Sequence, residues 1–259
     1  MYTVTKYPHG CFSWADCSAT EFDATRTFYR EVMGWEAVDL PMAEGAYTIF
    51  KLDGHDVVGL GLQQAGFPSA WNQYITVEDV DALMPRVTEL GGTVIELPFE
   101  VGDNGRMALI QDPTGAMVCL WQPRAHIGSR IVNTKGAVGW NELHTTDMAA
   151  ARDFYGGLLG WTFEEGEHTA QYQMFFLNGR VAGGMMPHEN VSSDAASYWL
   201  LYFNVEDIHA VREKIRAHGG RILFETLDEV GPRITAADPS GAVAAYIQAN
   251  RADEWVDPS

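Results

Sequence analysis

Residues 112–116 read Asp112-Pro113-Thr114-Gly115-Ala116, and residues 238–242 read Asp238-Pro239-Ser240-Gly241-Ala242. The two turns stand 238 − 112 = 126 residues apart. Outward from them, Phe28-Tyr29 returns as Phe154-Tyr155 and Gly34-Trp35 as Gly160-Trp161 at the same spacing. Val77-Glu78-Asp79 and Gly91-Gly92 return as Val205-Glu206-Asp207 and Gly219-Gly220, shifted by 205 − 77 = 128. A period this long marks a duplicated domain, because solenoid repeats run roughly 20–50 residues. Each candidate position therefore has a twin within the same chain.

The chain of 259 residues is long enough for two domains of about 125, each with a core. The sequence divides into a first domain at 1–125, a linker at 126–136, a second domain at 137–250 and a tail at 251–259. A net charge of −18 argues against nucleic-acid and anionic-membrane partners, which need clustered Lys and Arg. No secretory signal opens the sequence, and no run approaches the roughly 20 apolar residues of a membrane span. Cys11, Cys17 and Cys119 have no metal-like spacing and read as reduced thiols of a cytoplasmic protein.

Each half reads as strand, helix and further strands, and then repeats that order. In the second half, 138–145 alternates Trp140, Glu142 and His144 against Asn141, Leu143 and Thr145, as a strand does. Asp147 caps a helix carrying Ala151, Phe154, Tyr155 and Leu158, and Gly160 stops it. Strands at 172–177 and 181–186 flank the hairpin signal Asn178-Gly179. A strand at 198–205 then leads to Asp207, the cap of a second helix. The first half follows the same plan, except that Pro85 falls inside its second helix and predicts a kink or a delayed start.

This doubled β-α-β-β-β order, with its Phe-Tyr, Gly-Trp, Val-Glu-Asp, Gly-Gly and Asp-Pro-x-Gly carriers, resembles the vicinal oxygen chelate (VOC) superfamily. That superfamily includes glyoxalase I, extradiol dioxygenases and the bleomycin-resistance binding proteins. The resemblance implies an α+β fold of two tandem domains, each made of two modules that form a curved, cup-like mixed sheet. In metal-using members, His, Gln or Glu residues on the first and last strands of the modules hold a divalent ion in the cup. Here the matching positions hold Trp14 and Trp140, Asn72 and Leu200, and Cys119 and Ala245. Indole, Leu and Ala donate no lone pair to such an ion. The expectation is cups without a metal and without another cofactor.

Alternation places Asp16 and Glu142 on the strand face that carries Trp14 and Trp140, with Ser18 and His144 two residues on. A carboxylate beside an indole in a concave site could orient a ligand or act as a general base. Asp16, Glu142 and His144 are the candidate catalytic residues. Rigid aromatic walls with a few polar tips suit a flat organic ligand. The expected lining is Trp14, Tyr47, Asn72, Tyr74 and Trp121 in one cup, and Trp140, Glu142, His144, Tyr172, Leu200, Tyr202 and Tyr246 in the other. Trp71 and Tyr198 are further aromatic strand residues open to either a core or a lining role.

Three readings follow. One is a metal-independent protein that sequesters or carries a planar, largely apolar compound such as an antibiotic or metabolite. The second is a glyoxalase-like, isomerase-like or dioxygenase-like enzyme using Glu142, His144 or Asp16. The third is an interaction protein whose cups are merely filled. A small-molecule partner and a monomer or weak homodimer are expected, since the fused pair already supplies a two-domain contact.

Overall fold

The computed structural model describes residues 3–42, 45–165, 170–188 and 196–249; the expected tail at 251–259 lies outside them. The first half runs β1 (Phe12–Ala19), α1 (Phe22–Met33), β2 (Glu36–Leu40), β3 (Tyr47–Leu52) and β4 (His55–Leu62). It continues with β5 (Ala70–Thr76), α2 (Val80–Glu89), β6 (Thr93–Val101), β7 (Gly105–Gln111) and β8 (Met117–Pro123). The second half repeats this order as β9 (Val138–Thr145), α3 (Met148–Leu159), β10 (Thr162–Phe163), β11 (Gln173–Leu177) and β12 (Arg180–Pro187). It closes with β13 (Tyr198–Asn204), α4 (Ile208–Ala217), β14 (Arg221–Asp228), β15 (Gly231–Ala237) and β16 (Val243–Ile247).

Each half forms one open eight-stranded sheet, in the orders β2-β3-β4-β1-β5-β8-β7-β6 and β10-β11-β12-β9-β13-β16-β15-β14. The first strands sit at the centre: β1 runs parallel to β4 and antiparallel to β5, and β9 is placed likewise. The fold is α+β with two tandem units, as the resemblance implies. No described helix is long and apolar enough to cross a membrane.

Local signals act where the sequence puts them. Asp147 accepts hydrogen bonds from the Ala149 and Ala150 amides, and Gly160 ends α3 at φ 73°. Asn178-Gly179 turns its hairpin with both residues at positive φ (52° and 77°), as does Asp53-Gly54 (49° and 79°). Of the kink or delayed start expected from Pro85, the delayed start does not occur. Asp79 caps α2 by accepting from the Ala82 amide, and the helix begins at Val80, the step matching Ile208 in α4. Pro85 lies deeper in the helix, where it removes one backbone donor without moving the start.

The cores do not follow the sequence halves. One cluster joins Phe28, Tyr29 and Trp35 of the first half to Phe203, Ile215 and Tyr246 of the second. The other joins Val80, Ile110 and Leu120 to Phe154, Trp161 and Phe175. The repeated motifs stitch this interface together. Asp112 Oδ1 accepts from the Thr114 and Ala116 amides of its own turn, while its Oδ2 accepts from the Tyr155 hydroxyl at 3.0 Å. Trp199 Nε1 in turn donates to Tyr155. Asp238, Tyr29 and Trp71 repeat the arrangement with the halves exchanged. Trp35 Nε1 donates to the Gly136 carbonyl and Trp161 Nε1 to that of Gly10, holding the chain segments beside the interface. Helices and one face of each sheet are thus committed to the interdomain core, and the opposite faces carry smaller clusters of their own.

Candidate ligand-binding cups

The face of the first sheet turned away from the interdomain core, the expected cup, gathers Trp14, Tyr74, Cys119 and Trp121 with Ile49, Val101, Met107 and Leu109. The second gathers Leu200, Tyr202, Ala245 and Ile247 with Trp140. Asp16 and Glu142 lie at the cup floors, 7% and 4% exposed.

In the first cup, Trp14 Nε1 donates to the Tyr47 hydroxyl at 3.3 Å, and Tyr47 donates to Asp16 Oδ2 at 3.0 Å. Tyr74 donates to the same oxygen at 2.9 Å, and Asn72 Nδ2 to Oδ1 at 2.9 Å. The second cup repeats this arrangement. Trp140 Nε1 donates to the Tyr172 hydroxyl at 2.9 Å, and the Tyr172 phenol stands beside Glu142, its pKa pushed up by burial and then by that charge. Tyr202 donates to Glu142 Oε1 at 2.6 Å, and His144 Nε2 lies 2.9 Å from that oxygen. Both cups therefore hold one buried carboxylate ringed by two phenols, one of them backed by an indole.

A strand glycine makes this possible. Gly59 pairs with Asp16 and Gly184 with Glu142 across parallel ladders. A Cβ at either position would come within 2.1 Å of the Tyr47 or Tyr172 hydroxyl, so only glycine leaves room for the phenol over the carboxylate.

The third donor separates the cups electrostatically. Burial pushes the Asp16 carboxyl up, and the bonds from Asn72, Tyr74 and Tyr47 do not offset it. Burial also opposes the charge on Glu142, but the bonds from His144 and Tyr202 and the imidazole charge outweigh it and draw its pKa down. The Tyr74 phenol is pushed up by burial and then by the Asp16 charge; Tyr202 shifts likewise beside Glu142. His144 also stacks on Tyr198, with ring centroids 4.7 Å apart and planes 8° from parallel. His188 meets Tyr198 edge-on at 5.1 Å, and burial lowers its pKa, followed by the charge of His144.

The structure brings together most of the expected lining: Trp14, Tyr47, Asn72, Tyr74 and Trp121 in the first cup, and Trp140, Glu142, His144, Tyr172, Leu200 and Tyr202 in the second. Tyr246 is a correction. It is 1% exposed in the interdomain core, because Ala245 faces the cup and alternation turns its neighbour away. Trp71 lies in that core too. His126, at the start of the linker, sits edge-on to Trp14 at 4.5 Å, and its carbonyl accepts from Trp121 Nε1. Nothing in the linker sequence signals that contact. Gly59 and Gly184 were also missed, although a glycine inside a strand is a cue to close approach.

The glyoxalase/bleomycin resistance protein/dioxygenase superfamily pattern matches residues 14–120 and again 137–246. The chain belongs to this superfamily. A Mycobacterium tuberculosis protein named as a glyoxylase, CFP32, is 35% identical over 94% of this chain and 97% of its own. The anthracycline biosynthesis protein DnrV of Streptomyces peucetius is 32% identical over 95% of both chains. The fold is shared with the Mn(II)-bound glyoxalase from Novosphingobium aromaticivorans, at TM-score 0.63 and 17% identity over 93% of this chain and 82% of the other. The 2,3-dioxygenase LapB from Pseudomonas sp. KL28 gives TM-score 0.65 and 15% identity over 95% and 93%.

The residues of this superfamily member do not fit a divalent-metal centre. Among the described residues no three His, Cys, Asp or Glu side chains converge. Of the groups nearest to ligands, the Cys119 thiol is pushed up by burial and then by Asp16, and both carboxylates already accept from phenols. Indole nitrogens at 14 and 140 are donors and offer no lone pair.

Proposed function

We propose that the two cups bind a planar, largely apolar small molecule without a metal ion, and so sequester or carry it. One observation carries this reading: an indole–phenol pair set beside a buried carboxylate, Trp14–Tyr47 at Asp16, recurs as Trp140–Tyr172 at Glu142. The carboxylate's bonds fix the phenols and, through them, the indoles, so each cup presents a rigid aromatic wall whose rotamer freedom is already spent. With its acceptor sites engaged by internal donors, each carboxylate serves first as an anchor. The relatives named for anthracycline biosynthesis support a fused-ring aromatic ligand. The net charge of −18 favours a neutral or cationic one.

The test is a fluorescence titration with a soluble anthracycline as probe. Saturable quenching is expected, and Trp140→Ala should weaken it at least about tenfold while leaving the circular dichroism spectrum and Tm of a folded protein. An unchanged affinity removes the second cup from the binding role.

A second reading rests on the Glu142–His144 contact, which only the second cup has. An ionised carboxylate beside an imidazole suits proton transfer, as a glyoxalase-like, isomerase-like or dioxygenase-like activity would need. Under this reading Glu142→Gln slows conversion of the methylglyoxal hemithioacetal by about 100-fold or more. Equal rates for the two proteins would remove Glu142 as the base.

A further inference from the structure

A cavity of about 370 Å³ lies between the two halves, behind the strands that carry Trp14 and Trp140. Its walls come from the N-terminal segment, the start of β1, the linker, the start of β9 and the β11–β12 hairpin. We infer that this interdomain cavity is a second binding site, for a small neutral molecule with an apolar body and an amide-like edge.

Asn141 decides the ligand chemistry. It follows Trp140 on β9 and points away from the cup, toward the interface. It is 9% exposed and lines the cavity, yet its carboxamide has no hydrogen-bond partner among the described residues. Its twin in the first half is Ala15, which also lines the cavity and whose methyl group needs no partner. Opposite Asn141 on β13 stands Leu201, whose own twin Gln73 faces Ala15. The carboxamide has thus changed strands between the halves. Gln73 is enclosed with neither amide atom bonded, whereas Asn141 opens onto the cavity.

An amide that opens onto a cavity with no protein partner is answered in native structures by a bound water or a ligand. An Asn side chain offers one acceptor and two donors side by side, the complement of an amide, lactam or heteroaromatic edge. The rest of the wall is apolar or neutral: Phe12, Val138, Val181 and Leu201 supply contact area, and burial pushes the Cys11 thiol up to about 12, so it stays protonated. Arg180, exposed on its strand, is the sole charged lining residue. The volume falls in the range of small-molecule sites, which favour domain interfaces. Trp14 and Trp140 border both this cavity and the cups, whose carboxylates sit on the opposite strand face.

Methyl NMR on the full-length protein with labelled Leu and Val tests it, with benzamide as probe and toluene as its apolar match. Benzamide should shift the Val138, Val181 and Leu201 methyls saturably and leave the cup methyls of Leu109 and Leu200 unmoved. Toluene should shift the same methyls with an affinity about fivefold weaker or less, a comparison that needs no variant. Asn141→Ala, which copies the twin residue, should weaken benzamide by about fivefold to tenfold without affecting toluene. Silent cavity methyls, shifts confined to the cups, or equal affinity for the two probes would overturn the proposal. The first of these would leave Asn141 solvated by a buried water alone.

Discussion

Asp16 and Glu142 occupy the same step of twin strands, yet their protons respond to folding in opposite directions. Glu142 is held below its usual range, so its ionised form stabilises the fold. That contribution is present above the unfolded value of 4.5 and is lost as pH falls through the folded value. Asp16 is raised above 3.8; its contribution is full below that value and is lost as pH rises through the folded value. Urea unfolding of Glu142→Gln and Asp16→Asn between pH 4 and 7.5 separates the two. Glu142→Gln should be destabilised by roughly 2 kcal/mol at neutral pH, with the deficit shrinking toward pH 4. Asp16→Asn should gain relative to the parent protein as pH rises. Differences that move in the same direction would mean that the His144 contact does not set the asymmetry.

At the scale of the element, the strand beside each first strand matters for what it lacks. Gly59 on β4 and Gly184 on β12 make space for a phenol, and neither sits at positive φ, so alanine there is a purely steric change. Gly184→Ala should displace Tyr172 from Glu142 and cost about 1–3 kcal/mol in urea unfolding, with a changed near-UV spectrum around the cup. Unaltered stability would show that the tyrosine shifts freely and the relay is not rigid. The same elements show what a sequence reveals. Asp16, Glu142, Trp14 and Trp140 could be placed on one face by alternation, because that pattern is local. The phenols named for the cups are Tyr47 and Tyr172, but their convergence on the carboxylates depends on a parallel register between β4 and β1 that no local signal encodes. Tyr246 shows the opposite case: once Ala245 takes the cup position, period two alone turns its neighbour into the core.

At the scale of the molecule, the motifs that carry the family resemblance turn out to be interface devices. Read locally, Asp-Pro-x-Gly is a turn and Phe-Tyr the end of a helix stripe. In the fold, Asp112 bonds Tyr155 and Asp238 bonds Tyr29, each across the two halves, and α1 packs on α4 while α2 packs on α3. Each hydrophobic cluster therefore draws one module from either half. Separating the chain into 1–125 and 137–250 would expose the large side chains of both clusters, Phe28, Trp35, Phe154 and Trp161 among them, and would strand a buried carboxylate or phenol at each motif. Neither piece should be a folded monomer: each alone should aggregate, dimerise through the vacated face or lack a near-UV spectrum. Mixed or co-expressed, the pieces should form a 1:1 complex by light scattering, with the near-UV spectrum of the intact protein. A single half that stays monomeric and unfolds cooperatively would show that its own sheet and helices suffice. The Asp–Tyr bonds would then join two finished domains. The shared cores require instead that the halves complete each other, and that both cups are held in shape by packing on their far side.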